Sequence, residues 1–348
     1  MTILVLSAAD VRSLLAYREC AHVMREALTQ LAGGGIQQPL RTVVRPSGAA
    51  GFMALMPSYA ADTGYGLKAI CITPGNPARG LDSHQGGVLL FAAGTGEPVA
   101  LVNASALTEI RTAAVSAVAT DLLARPDATE LAIIGTGVQG QAHARALAAT
   151  RAVTGSPVTG SPVTGSPVAC SPLTGIRLIG RDASRCAKVA ADLTAELGFP
   201  VSACTSLREA VRGAGIVVTA TSSPRPVLRR EWLAPGTHIN AVGACVPGDR
   251  EIDAATMADA TLFADSRESL VNEAGDYLLA VTDGATLAQE PAELGEVLTG
   301  AAPGRRHDEE ITLFKSLGLA AEDLKAASYV YEQAKRRGAG VSVNFTGT

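Results

Sequence analysis

The sequence predicts an α/β fold in two parts, and three observations carry that expectation. Its 348 residues exceed the ~250–300 at which a single hydrophobic core stops growing. From Leu131 onward, apolar runs of strand length alternate with helical patterns: "LAIIGTG", "QGQAHARALAAT", "IRLIGRD", "ASRCAKVAADLTAELG", "IVVTATSS", "HINAVGA". That alternation is the grammar of a parallel sheet covered by helices. Before Leu131 the pattern differs, with short strand-like runs separated by Gly and Pro, as in a mostly antiparallel meander.

Taken in order, residues 8–32 place Val11, Leu14, Leu15, Val23, Ala27, Leu28 and Leu31 at helical spacing, and "GGG" at 33–35 stops that helix. The runs "LRTVVRP", "GFMALMPSYA", "GYGLKAICIT" and "GGVLLFAAGTGEPVALV" read as strands. "SALTEIRTAAVSAVATDLLA" reads as a long helix, and "RPDATE" as the linker to the second part. Between Thr154 and Leu173, "TGSPVTGSPVTGSPVACSPL" repeats a pentad with Gly and Pro in each copy. Such a period is too short for a solenoid, and Pro forbids helix, so 154–173 is expected to be a low-complexity surface loop.

Composition bounds the chemistry. A hydrophobic content of 47%, a charged content of 18% and a mean hydropathy of +0.22 indicate a well-buried chain rather than a disordered one. A formal net charge of -4 and the absence of a basic run argue against nucleic acid and acidic lipid as partners. The six cysteines and five histidines show no CxxC, HxH or HExxH spacing, so no metal site or disulfide framework is expected, and a reducing, cytoplasmic setting fits. "MTILVLSAAD" is too short and lacks the basic start of a signal peptide, and no run reaches the ~18 apolar residues of a membrane span.

The strongest motif is "LAIIGTGVQGQAHARAL", in which Gly135, Gly137 and Gly140 form GxGxxG between an apolar strand and a helix. Glycines there allow a tight turn and close backbone approach, so that a pyrophosphate can meet the N–H groups of the helix start. The second part is therefore expected to be a Rossmann-type dinucleotide-binding domain. At the end of the next strand, where NAD-binding proteins carry an acid for the ribose hydroxyls, "LIGRD" places Gly180 and Arg181. A guanidinium without that acid suits a 2′-phosphate, so NADP(H) is favoured. NAD(H) is the alternative if Asp182 takes the acid's place.

With these motifs in view, the chain resembles the ornithine cyclodeaminase/mu-crystallin family. The likeness runs through "PLRTVV", "LKAICITPGNPARGLDSHQGGVLLF", "TGEPVALVNASALTEIRTAAVSAVA", "IIGTGVQGQAHA", "NAVGACVPGDREI" and "ITLFKSLGLAAEDLKAA". The resemblance implies a Rossmann-type domain at 126–309. It also implies an α+β substrate-binding and dimerisation domain at 1–125, completed by 310–348, pairing into a homodimer through its sheet. Arg41, Lys68 and Arg111 match the family's substrate-contacting cations, and three cations in one pocket suit a carboxylate. Lys68 lies within an apolar run, where a solvated charge is uncomfortable. Neighbouring arginines would lower its pKa, making it the candidate proton donor or acceptor. Ser83, Arg111, Thr112, Val138, Gln139, Thr221, Ile239, Asn240, Ala241, Val242 and Ser316 resemble positions that touch the cofactor, and His84 is expected either to line the pocket or to make a structural hydrogen bond.

Cys245 stands where cyclodeaminases of the family carry an aspartate, and no neighbouring residue completes a thiol dyad. It is expected to be a small pocket-wall residue, as in the mu-crystallin-like, ketimine-reducing branch. The implied function is NAD(P)H-dependent reduction of a small cyclic ketimine, of pyrroline-2-carboxylate or piperideine-2-carboxylate type, to a cyclic L-amino acid. Ornithine or lysine cyclodeamination, alanine-type amino-acid dehydrogenation, and ligand binding without catalysis are the alternatives.

Overall fold

A computed structural model describes residues 2–151, 171–287 and 289–346, and most of the loop expected at 154–173 lies outside them. The chain divides into two compact units: Met1–Thr112 with Gly318–Thr348, and Ala113–Leu317.

The first unit contains β1 (Thr2–Leu6), α1 (Ala8–Leu14), α2 (Tyr17–Ala32), β2 (Ile36–Gln37), β3 (Thr42–Val44), β4 (Phe52–Ala60), β5 (Gly64–Ile72), β6 (His84–Phe91) and β7 (Pro98–Asn103). The helix expected across 8–32 is two helices. Ser7 and Asp10 form a reciprocal cap at the start of α1; Leu15 leaves the helical conformation and Ala16 is extended. Leu14, the last residue of α1, and Leu15 after it are both buried. No Gly or Pro marks the break.

The long helix α3 (Ala104–Leu123) contains the division after Thr112. The second unit continues with β8 (Glu130–Ile134), α4 (Val138–Arg151), β9 (Gly175–Ile179), α5 (Ala183–Leu197), β10 (Val201–Ala203), α6 (Leu207–Val211), β11 (Ile216–Thr219), β12 (His238–Ala241), α7 (Ala254–Asp259), β13 (Thr261–Ala264), α8 (Arg267–Glu273), α9 (Gly275–Thr282), β14 (Ala292–Glu293), α10 (Leu294–Thr299) and β15 (Thr312–Lys315). Then α11 (Ala320–Arg337) and β16 (Val341–Asn344) return to the first unit.

The units divide at 112/113 and 317/318 rather than at the expected 125/126 and 309/310, and packing explains both shifts. Ala117 of α3 joins Leu131, Ile133 and Leu147 in a core of the second unit, and β15 is a strand of that unit's sheet.

In the first unit the sheet order is β16-β1-β7-β6-β5-β4-β2, with β3 also on β4. All pairs are antiparallel except β1 with β7. Side chains alternate in period two. On one face Ala54, Met56, Ser58, Lys68, Ile70, Val88, Leu90, Ala100 and Val102 are buried. Helix α11 covers this face: the Ser58 hydroxyl donates to the Ala320 carbonyl at 3.1 Å, and a side chain at Gly66 would meet Leu324 Cδ1 at 2.8 Å. The other face presents Met53, Tyr65 and Leu101 to the outside.

The second unit's sheet, β10-β9-β8-β11-β12-β15-β13-β14, is parallel at every pair. Burial on both faces explains its near-continuous apolar strands: Leu131, Ile133 and Val218 enter one core, Ala132, Ile134 and Val217 the other. Strand order reverses beside β8, the point at which ligands bind in such sheets. Among the described residues, no helix is long and apolar enough to cross a membrane.

Candidate functional site

In the first unit, β5 and α11 bring together the charges that the sequence scatters. Lys68 is only 2% exposed, because its register places it between Met56 and Val88 on the buried face. Its Nζ lies 2.6 Å from Asp323 Oδ2. Arg111 donates through Nε to Asp323 Oδ1 at 3.0 Å and through Nη1 to Glu322 Oε2 at 2.8 Å. Arg41 Nη2 donates to the Gly318 carbonyl at 3.0 Å. Gly318 has φ +79, and a Cβ there would lie 2.7 Å from Arg111 Nη1, so glycine gives the guanidinium its room. Lys68 and Arg111 thus meet two carboxylates, and Arg41, close enough to act on Lys68, brings an excess of one positive charge.

Burial, assisted by Arg111 and Arg41, pushes the Lys68 pKa down to about 8, against the opposing pull of Asp323. Burial alone would raise Asp323, but Arg111 and Lys68 together hold its carboxyl below the usual range. His84 is lowered by burial, then by Lys68 and Arg111, and its Nδ1 is 3.0 Å from the Ser83 hydroxyl. Thr112 is buried on α3. Glu322 and Asp323 were not legible as partners: "AED" at a helix start reads as a solvated first turn. The signal was reciprocal, since a buried lysine requires a nearby acid.

In the second unit, the three glycines of GxGxxG are required for different reasons. Gly135 has φ +128 and a Cβ there would stand 2.3 Å from the Ala220 carbonyl oxygen; a Cβ at Gly140 would stand 1.9 Å from the Gly135 carbonyl oxygen. Among the described residues, its chain neighbours aside, nothing lies within 4 Å of a Cβ at Gly137. The first and third glycines answer to the fold, whereas the second borders open space, as expected of a turn that admits a pyrophosphate. Val138, the first residue of α4, is 56% exposed. The Gln139 carbonyl faces His143 Nδ1 at 2.7 Å, and His143 Nε2 faces the Ser116 hydroxyl at 2.9 Å. A carbonyl only accepts, so Nδ1 carries the proton and Nε2 accepts from Ser116. Burial pushes the His143 pKa down to about 4, so this lock on the helix start is neutral near pH 7.

A Cβ at Gly180 would meet Thr136 Cγ2 at 2.8 Å and Oγ1 at 3.0 Å. Arg181 is exposed. Asp182 caps α5, accepting from Arg185 N–H at 3.0 Å and the Ser184 hydroxyl at 2.7 Å. Of the strand-end positions, Ile239, Ala241 and Val242 bury their side chains in the unit's cores, and Asn240 Nδ2 donates to the Thr120 hydroxyl at 2.9 Å. Their side chains therefore face inward. The Thr221 hydroxyl accepts from Ser223 N–H at 3.1 Å. Ser316 is buried, and its N–H donates to the Ala241 carbonyl at 3.0 Å. The half-buried Cys245 thiol donates to the Val242 carbonyl at 3.1 Å. Among the described residues, no group of three or more His, Cys, Asp or Glu is placed to hold a metal ion.

The ornithine cyclodeaminase/mu-crystallin family model matches residues 1–158 and 166–338. Over 300 residues the chain is 39% identical to the ketimine reductase mu-crystallin of Mus musculus, covering 86% of each. The solved Delta(1)-pyrroline-2-carboxylate reductase of Thermococcus litoralis, in complex with NADH and L-proline, is similar at TM-score 0.89 and 33% identity, over 98% of this chain and 100% of that one. An archaeal alanine dehydrogenase dimer with bound NAD is similar at TM-score 0.87 and 30% identity, over 99% of this chain and 100% of that one. A family model matched over nearly the whole chain and a relative of this identity show the family: the chain belongs to the ornithine cyclodeaminase/mu-crystallin family.

Proposed function

We propose that this chain is a nicotinamide-dependent oxidoreductase that reduces small cyclic ketimines, of pyrroline-2-carboxylate or piperideine-2-carboxylate type, to cyclic L-amino acids. The observation that carries this reading is the buried Lys68 beside Asp323 and Arg111, a proton donor whose pKa lies close to neutral beside guanidinium charge. The L-proline in the Thermococcus litoralis complex differs from its cyclic imine by one hydride and one proton, and Lys68 is suited to supply the proton.

Reduced nicotinamide, when bound, supplies the hydride. Arg41 and Arg111 hold the 2-carboxylate, since the cluster's excess positive charge favours an anion and guanidinium matches carboxylate geometry. The Lys68 ammonium donates a proton to the ring nitrogen, which makes the C=N carbon electrophilic and leaves a secondary amine after reduction. Asp323 opposes the burial that draws the ammonium's pKa down to about 8, and so keeps it largely protonated near neutral pH. His84, neutral and bonded to Ser83, lines the same cluster. Cys245 brings no carboxylate to the position where cyclodeaminases carry one, which favours reduction over cyclodeamination.

Gly135, Gly137 and Gly140, with Val138 and Gln139 at the start of α4, would hold the pyrophosphate. Backbone at Thr221, Ile239–Val242 and Ser316 would border the rest of the nucleotide. We assign NADP(H) as the preferred form: Asp182 caps a helix, Gly180 offers no acid, and Arg181 is exposed beside it. NAD(H), named with both solved relatives, is the competing form. The outward face of the first unit's sheet, with Met53, Tyr65 and Leu101 exposed, fits a homodimer contact.

Purified protein with NADPH and synthetic pyrroline-2-carboxylate or piperideine-2-carboxylate tests the reading. Cofactor oxidation that requires the imine, and falls in Lys68→Met, supports it; no oxidation with either ring contradicts it.

A further inference from the structure

Beneath the nucleotide unit's strand ends lies a buried polar network that the reaction as described leaves without a role. Glu251, Asp276 and Lys315 are each 0% exposed. Glu251 Oε1 accepts the Thr221 N–H at 2.6 Å, while Oε2 accepts the Gly243 N–H at 2.6 Å and the Thr219 hydroxyl at 2.9 Å. Asp276 Oδ1 accepts the N–H groups of Glu251 and Ile252 at 2.6 and 2.9 Å, and Oδ2 accepts Lys315 Nζ at 2.9 Å. One carboxylate thereby ties the end of β11 and the loop after it to the loop after β12. A second anchors the first to the end of β15. Space is equally constrained: a Cβ at Gly243 would lie 2.1 Å from the Thr221 carbonyl oxygen and 2.6 Å from the Glu251 carboxyl carbon.

A buried carboxylate is a poor source of stability, since well-packed apolar groups commonly serve as well. What it supplies here is two acceptors with fixed separation, which hold two backbone N–H groups from different loops in one register. Burial pushes the Glu251 pKa up and Lys315 opposes it, so the arrangement is held against its own desolvation cost.

We propose that Glu251 is a positioning residue for the nicotinamide cofactor, fixing the loops after β11 and β12 against each other, with Asp276 and Lys315 holding Glu251 in place. The inference rests on the reading that the nucleotide binds along the carboxyl ends of this sheet.

Glu251→Gln is the test, because an amide keeps the size but presents N–H groups to one set of donors. Nucleotide Kd by fluorescence titration and the nucleotide KM should rise roughly ten- to hundredfold. The imine KM and the kcat at saturating nucleotide should stay within about threefold, a split that general loosening of the fold would not give. Gly137→Val is the companion variant: a Cβ there enters open space among the described residues, where the proposed nucleotide would lie, so it should fold and lose nucleotide binding. Lost binding in Gly137→Val with unchanged nucleotide affinity in Glu251→Gln overturns the positioning role and leaves the nucleotide site standing. Unchanged binding in Gly137→Val overturns both. Should Glu251→Gln fail to fold, Thr219→Val decides by removing one donor: a nucleotide KM raised by about two- to tenfold supports the role, and an unchanged KM overturns it.

Discussion

Lys68 and Asp323 form a buried ion pair, Nζ to Oδ2 at 2.6 Å, on a sheet face whose other buried side chains, Ser58 apart, are apolar. Burial draws the lysine pKa down to about 8 while Asp323 pulls the other way, so the proton is held but can be given up. In imine reduction the protonated form acts, and it is lost as pH rises through about 8. The reduction rate should therefore fall above that pH, while amino-acid oxidation, which needs the neutral amine, should rise through it. Lys68→Met should lose both limbs and lower kcat by ~10²–10⁴. A folded Lys68→Met variant with the wild-type pH profile would show that the proton comes from elsewhere.

Asp323→Asn removes the charge that keeps Lys68 protonated and leaves two buried cations with one acid. The alkaline limb of imine reduction should move to lower pH, and stability should fall by about 3–5 kcal/mol, the range for one partner removed from a buried pair. Thermal unfolding and the pH–rate profile measure the two effects separately. An unmoved limb would mean that Asp323 does not govern the lysine.

Arg181→Ala should weaken NADPH binding by about 1–3 kcal/mol and leave NADH nearly unchanged, if the guanidinium meets the 2′-phosphate. Gly180→Asp should not convert the preference cleanly, because its Cβ would meet Thr136 Cγ2 at 2.8 Å. Comparing KM for both cofactors decides: equal KM values in the wild type would remove the case for NADP(H).

Much of this was legible in local sequence. GxGxxG between a strand and a helix marked the tight turn from β8 to α4, and the placement of Lys68 in an apolar run marked it as unusual. What sequence could not give was pairing across the chain. Asp323 lies far from Lys68 in sequence and is brought to it by α11 packing on the sheet, and Glu251 in "GDREI" reads as charge after a turn although it is fully buried. The break at Leu15 and Ala16 was hidden because no Gly or Pro stands there to mark it. The strand-end run Ile239–Val242 was located, but its side chains face the core, so position was readable and orientation was not.

Cys245 donates to the Val242 carbonyl at 3.1 Å, a contact that a hydroxyl also makes. Cys245→Ser and Cys245→Ala should keep imine reduction within about threefold, since neither removes a charged contact. A loss of a hundredfold or more in either folded variant would assign the thiol a chemical role.

The central claim is that a carboxylate-binding cation cluster with a proton on Lys68 reduces a preformed C=N bond. The most direct measurement follows NADPH oxidation by the wild type with cyclic 2-carboxy imines, with pyruvate with and without ammonium, and with ornithine or lysine and catalytic NAD(P)+ while ammonia release is recorded. The expected result is rapid oxidation with a cyclic imine in the absence of ammonium, and no redox-neutral ammonia release from ornithine or lysine. Efficient ammonia release from either diamine, or activity confined to pyruvate with ammonium, would contradict it.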